Sequence, residues 1–242
     1  MSQPLIGARW EHLLCLNYPC PRGLIEPLVP AGTELEPHDG EHYVTLAGWL
    51  NGETRFRGFA IPFHQQFEQV ALRFYVRRRE PNGAWRSGTV TIRELVPRPA
   101  VAFALRHWFQ SPALSLVMSD ANDTVDADRG LVAYFWSVAR QKFSMMATIV
   151  GAPAPPPAGS LAEFITDRTW GYARTRNGGT LEFHAAHPRW PVWTPESHSV
   201  DGPMHVVFGS AFAYLFNSPP ASTFVATGGH VTLHPGSLLP AP

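Results

Sequence analysis

Residues 67–76 read FEQVALRFYV. An alternation of two puts Glu68, Val70, Leu72, Phe74 and Val76 on one face of a β-strand. Phe67, Gln69, Ala71, Arg73 and Tyr75 take the other face. The first face is apolar apart from Glu68, and it predicts a core. A carboxylate on such a face is costly unless it is hydrogen-bonded, paired or protonated. Two readings follow. Glu68 either sits in water at the frayed start of the strand or stands at the rim or floor of an apolar pocket. In a pocket, desolvation would raise its pKa and make it a proton carrier. Arg73, on the opposite face, reads as structural.

Around this strand, proline and glycine divide the chain into short runs. EHYVTLAGWL and WRSGTVTIREL read as strands on either side of it, the second following a turn at Pro81-Asn82-Gly83. In AVAFALRHWF the period changes. Val101, Leu105 and Trp108 share a helical face behind Pro99, a favourable first helical residue. LVAYFWSVARQKFSM returns to strand after a turn at DADRG. Ser160 and Glu163 form a capping box that opens a short helix reaching Arg168. TWGYARTRNGGTLEFHAAH is a hairpin about Asn177-Gly178-Gly179. GPMHVVFGSAFAYLF predicts a helix containing Gly209, and STFVATGGHVTLH closes the chain as strand. Many strands with few helices predict an α+β fold dominated by antiparallel sheet.

Composition narrows the function. The 242 residues suit one domain spanning 1–242, with a sizeable core. Acidic and basic residues balance at a formal charge of +0, which removes the electrostatic footprint of a nucleic-acid partner. No apolar run reaches the ~18 residues of a membrane helix. The N-terminus lacks the pattern of a signal peptide. A cytoplasmic protein with no membrane partner is expected, its cysteines Cys15 and Cys20 reduced. His38/His42 and His184/His187 are the closest histidine pairs, and neither has the helical context of a zinc site. No G-x-S-x-G and no phosphate-binding loop occurs, so no metal and no cofactor is expected. Lys142 is the only lysine, which limits mechanisms that need an amine nucleophile. It either reaches a pocket from its strand or, as expected, takes a strand-surface position on a face shared with Trp136, Val138 and Arg140.

The ordered set LIEPLVPAGTELEPHDGEHYVTLAG, FEQVALRFYV, ALRHWFQSP, SLAEFITDRTWGY, HPRWP and SPPASTFVATGGHVTL resembles the YqjF-like bacterial proteins of unknown function. These belong to the acetoacetate decarboxylase-like superfamily. The resemblance covers most of the chain. It implies a cone-shaped antiparallel β-barrel with peripheral helices and an internal pocket, and it makes Glu68 the likeness of a pocket glutamate. Arg106 and Pro112 keep the decarboxylase spacing, with Trp108 or Phe109 in the aromatic part. Ala113 and Leu114 stand where the decarboxylases carry their lysine pair, and neither can form an imine. Glu68 and Arg106 are therefore expected to be the catalytic pair, close together in one pocket, with Trp108 and Phe109 binding substrate.

The expected ligand is a small, mostly apolar carbonyl or carboxylate compound. Lyase, hydratase or enolisation chemistry by acid and base survives the loss of the lysines. The alternative is a binding or sensing protein that keeps the barrel without catalysis. Whether copies of the chain assemble into a homo-oligomer stays open at this stage.

Overall fold

The structure, a computed structural model, describes residues 3–126 and 129–240. The first stretch contains β1 (Ile6–Pro19), α1 (Arg22–Ile25), β2 (Glu34–Leu35), β3 (Tyr43–Phe56), β4 (Phe59–Ala60), β5 (Phe67–Arg79) and β6 (Trp85–Val96). Next come α2 (Pro99–Trp108), β7 (Ala113–Ser115), β8 (Val117–Asp120), β9 (Asp123–Asp126), β10 (Arg129–Val138) and β11 (Gln141–Val150). The remainder holds α3 (Leu161–Thr166), β12 (Trp170–Arg174), β13 (Thr180–Ala186), β14 (Val192–Trp193) and β15 (Ser197–Asp201). It ends with α4 (His205–Phe208), α5 (Ser210–Ala213), β16 (Ser222–Leu233) and β17 (Ser237–Leu238). The fold is mostly antiparallel strand with few helices, as the sequence pattern predicts. Of the turn expected at DADRG, residues 127 and 128 lie outside the described residues.

The larger sheet closes on itself. Its hydrogen-bonded order runs β16-β1-β3-β5-β6-β12-β13, and β13 pairs again with β16. Only the β6–β12 rung pairs of this circuit are parallel. The ring therefore has a lumen and an outer face, and a strand buried on both sides shows no polar side. β5 is such a strand. Val70, Leu72, Phe74 and Val76 point outward into the main core. Phe67, Gln69, Ala71 and Tyr75, also buried, point into the lumen. Burying each large side chain contributes about 1.5–3 kcal/mol, so both faces hold the strand in register.

The outer core is completed by a second sheet in the order β15-β11-β10-β8. Val132, Tyr134 and Trp136 of β10 and Phe143, Met145 and Ile149 of β11 pack against the ring. The sequence read these two strands as one run. A hairpin intervenes, with positive φ at Ala139 and Arg140. Lys142 pairs with Ser137 across it, so the face shared with Trp136, Val138 and Arg140 does not exist. The lysine is nevertheless exposed.

The helices are shorter than the sequence suggests. α2 forms as expected, with Pro99 in its first turn. At α3 the Ser160 hydroxyl accepts the Glu163 amide at 3.2 Å, and the Glu163 carboxylate accepts the Gly159 amide at 2.8 Å. That helix stops at Thr166 rather than Arg168. The helix expected over GPMHVVFGSAFAYLF is broken into α4 and α5 by Gly209, at φ 88° and ψ 150°. That backbone is costly for any residue with a Cβ. No described helix is long and apolar enough to cross a membrane.

Candidate functional site

The lumen holds a cavity of about 320 Å³. Trp10, Trp49, Phe67, Ala71 and Leu233 give it apolar staves, and α2 covers one end through Val101, Ala104, Leu105, Trp108 and Phe109. Polar groups interrupt this wall. Asn51 Nδ2 donates to Gln69 Oε1 at 2.9 Å. Gln69 Nε2 in turn donates to Glu94 Oε1, and the Ser111 hydroxyl donates to Glu94 Oε2. Arg73, Arg168 and His187 line the cavity further in.

Glu94 reaches the lumen because β6 carries a bulge. Arg73 pairs with Thr91, yet Leu72 pairs with Arg93, so Ile92 is an extra residue on β6. Thr89 and Thr91 face inward before the bulge, and Glu94 faces inward after it. Strict alternation would have put Glu94 with Val90 on the outer face. Burial pushes the Glu94 carboxyl above the ordinary carboxylate value. The hydrogen bonds from Ser111 and Gln69 and the charge of Arg73 work against this shift.

Arg73 stands one inward-facing position beyond Ala71, the residue paired with Glu94. Its guanidinium lies 5.8 Å from the centroid of the Trp49 ring. No carboxylate comes within ion-pairing distance of it among the described residues, and its Nε has no hydrogen-bond partner. The neighbouring cation is different. Arg168 pairs with Glu36 at 3.1 Å and lies over the Phe164 ring at 3.8 Å. His187 stacks on Trp190 at 4.1 Å, and burial pushes its pKa below the ordinary histidine value. Cys15 lies in a side recess that shares Arg73 and His187 with the main cavity; burial, partly opposed by Arg73, pushes its thiol up to about 11.

The expected site residues fall in different places. Trp108 and Phe109 line the cavity. Glu68 lies on the outer face of β5, opposite the lumen. Half-buried, it has its pKa raised by burial and then by the neighbouring Asp120, while its own backbone hydrogen bond and Arg98 oppose the shift. Arg106 is exposed, and its Nη1 donates to the Ala113 carbonyl at 3.0 Å. Neither residue is among those lining the cavity: Glu68 is on the buried face of β5 away from the pocket, and Arg106 is on an exposed position of α2, bonded to the Ala113 carbonyl. The sequence reading omits Glu94 and gives Arg73 a structural role, whereas both line the cavity. The signal for Glu94 was present in TIREL, where alternation fails at Arg93-Glu94. Among the described residues no cluster of three or more His, Cys, Asp or Glu side chains could hold a metal ion.

A family model for uncharacterized conserved proteins, DUF2071, matches residues 7–228. The chain belongs to the DUF2071 family. A search of curated proteins finds no match. Among solved structures, an acetoacetate decarboxylase-like enzyme from Sphingomonas wittichii RW1 superposes with a TM-score of 0.70 at 13% identity, covering 100% of this chain and 95% of that one. Acetoacetate decarboxylase from Legionella pneumophila gives 0.68 at 13% identity, over 99% of this chain and 90% of that one. The enduracididine biosynthesis enzyme MppR, complexed with pyruvate, gives 0.68 at 14% identity, over 99% and 92%. At these identities the likeness is one of fold.

Proposed function

We propose that this DUF2071 protein binds a small carbonyl or carboxylate compound in the ring lumen and moves a proton on it without an imine. The observation that carries the reading is the juxtaposition of Arg73 and Glu94. A guanidinium lacking a carboxylate partner is a site for an anion. A carboxyl whose pKa is raised by burial is a better base near neutral pH than an exposed one. The substrate's carboxylate lies on Arg73, and Glu94 removes or returns a proton beside the carbonyl. Trp108 and Phe109 provide part of the apolar wall. The pyruvate complex of MppR, on a similar fold, supports this class of ligand. Glu68 and Arg106 have no part in this reading, since neither side chain lines the cavity.

Lumen tryptophans make binding measurable. Trp10 and Trp49 flank the polar zone, so pyruvate titration should change their fluorescence in the native protein. Arg73→Met should abolish that change. Proton transfer is read separately, as deuterium exchange into the pyruvate methyl group followed by NMR in heavy water. Glu94→Gln should keep binding and reduce exchange to the uncatalysed level. Absence of pyruvate binding by the native protein would overturn the proposal.

One observation favours a second reading, in which the pocket binds without catalysis. Both Glu94 oxygens already accept hydrogen bonds, from Gln69 and Ser111, which holds the carboxylate in place. Binding by the native protein with exchange no faster than in Glu94→Gln would select this reading.

A further inference from the structure

We propose that the natural ligand is a monocarboxylate with an apolar tail, bound head-in, its tail running from Glu94 past α2 to a mouth at Ile61. The inference rests on the lumen reading above and adds the tail, its direction and the charge. Strand register gives the layering. Arg73 is level with Thr91, Ala71 with Glu94, and Asn51 with Phe67. Moving from Arg73 to Phe67 is six residues along β5, about 20 Å at the rise of an antiparallel strand. Arg73, Thr91 and Glu94 occupy the inner part of this path, while Asn51, Thr54, Arg55 and His64 are the polar groups nearer the mouth. Beyond Glu94 the wall includes Phe67, Leu105 and Phe109, members of one apolar cluster.

That apolar wall continues outward. Trp108 of α2 packs on Phe56 of β3 with ring centroids 4.9 Å apart. Ile61, in the loop after β4, lines the cavity and is also 42% exposed, so the cavity meets solvent there. On either side of Ile61, Phe59 and Phe63 stand 75% and 87% exposed, extending apolar surface beyond the opening. A three-carbon acid bound at Arg73 would leave this segment filled only by water. Cavities of about 300–1,000 Å³ commonly enclose ligands much larger than pyruvate, and 320 Å³ falls within that range.

Charge sets the head group. Arg168 is already paired with Glu36 and Arg55 is exposed near the mouth, so at the inner end Arg73 is the cation without a carboxylate partner among the described residues. One unpaired cation at the inner end matches one carboxylate. A second carboxylate a few atoms from the first would lie against Phe67, Leu105 and Phe109, short of Arg55 at the mouth.

The test is a fluorescence or calorimetric titration of the native protein with pyruvate, α-ketobutyrate, α-ketohexanoate and α-ketooctanoate, with α-ketoglutarate and the methyl ketone 2-octanone as controls. Affinity should rise about fourfold per added methylene until the tail reaches the mouth. α-Ketoglutarate should bind more weakly than α-ketohexanoate. Ala104→Trp, which fills the outer segment, should remove the gain with chain length. Ile61→Ser, on an exposed loop, should reduce the α-ketooctanoate affinity by a larger factor than the pyruvate affinity. Pyruvate binding with no dependence on chain length would overturn the tail and leave the Arg73 head site standing. 2-Octanone binding as tightly as α-ketooctanoate would overturn the head site, and with it the orientation proposed here. A length dependence that survives Ala104→Trp and Ile61→Ser would also overturn the assigned path.

Discussion

Glu94 and Glu68 share a residue type and a raised pKa, yet their surroundings differ. Glu94 is enclosed and held by Ser111 and Gln69. Glu68 is half-buried on the opposite side of the ring, beside Asp120. Stability should record the burial of Glu94. In the unfolded chain its carboxyl titrates at the ordinary value of 4.5, and in the folded protein it titrates higher. Between those two values the folded state binds more protons than the unfolded state, so stability falls as pH rises through the window. Below 4.5 the contribution is fully present. Glu94→Gln removes this loss, and urea unfolding across the pH range above 4.5 should show a flatter stability profile for the variant than for the native chain. A slope equal to that of the native chain would show that Glu94 is not the group responsible.

The elements around these residues were legible to different depths. Strands with plain alternation, such as β5, were visible in the sequence, as were the proline-led α2 and the capping box of α3. Those signals are local, and the local backbone obeys them. The face of β5 that meets the pocket was not visible, because period two separates two faces without saying that both are buried. The bulge at Ile92 was hidden for a related reason. It is set by pairing with β5 and shows in the sequence only as a failed alternation. Gly209 was legible as a threat to a helix, and its φ of 88° shows that it ends one.

Close approach between elements also gives a prediction. A Cβ on Gly88 would lie 2.6 Å from the Trp170 carbonyl oxygen, across the parallel β6–β12 pairing. The contact is with backbone and cannot be relieved by turning a side chain. Gly88→Ala should therefore destabilise the protein by about 1–3 kcal/mol, the range of overpacking changes, measured by chemical denaturation. An unchanged midpoint would mean that the two strands separate without penalty.

For the molecule as a whole, the placement of its one lysine decides which chemistry is accessible. Lys142 lies on β11 of the second sheet, exposed, with the main core between that sheet and the ring. Ala113, at the position where the resemblance expects a lysine, is buried against Phe67 and Leu105, and Leu114 packs on the outer core. Borohydride reduction in the presence of pyruvate should leave the intact mass unchanged, as read by mass spectrometry. A reduced adduct on Lys142 would require the lysine to reach a bound carbonyl and would contradict this arrangement.

The ring is not equally fastened around its circumference. β1 and β16 pair from Ile6↔Leu233 to Asn17↔Ser222, and β5 and β6 pair from Val70↔Leu95 to Arg79↔Trp85. The β12–β13 hairpin shares two ladder pairs with β6, Trp170↔Gly88 and Gly171↔Thr89, and two with β16, Ala185↔Leu233 and Ala186↔Thr232. Side-chain bonds from Arg78 and Arg86 to Glu182 and the short β17 pairing add to the hold, but the ladders on either side of the hairpin are short, so its amides should lose protection from hydrogen exchange before those of β1, β3 and β5. Trp170, Tyr172, Phe183 and Ala185 of the same hairpin line the cavity, so an occupied lumen disfavours the opened form. A ligand should slow exchange most in β12 and β13, and mass spectrometry of their peptides would report occupancy even for a compound with no chromophore and no turnover.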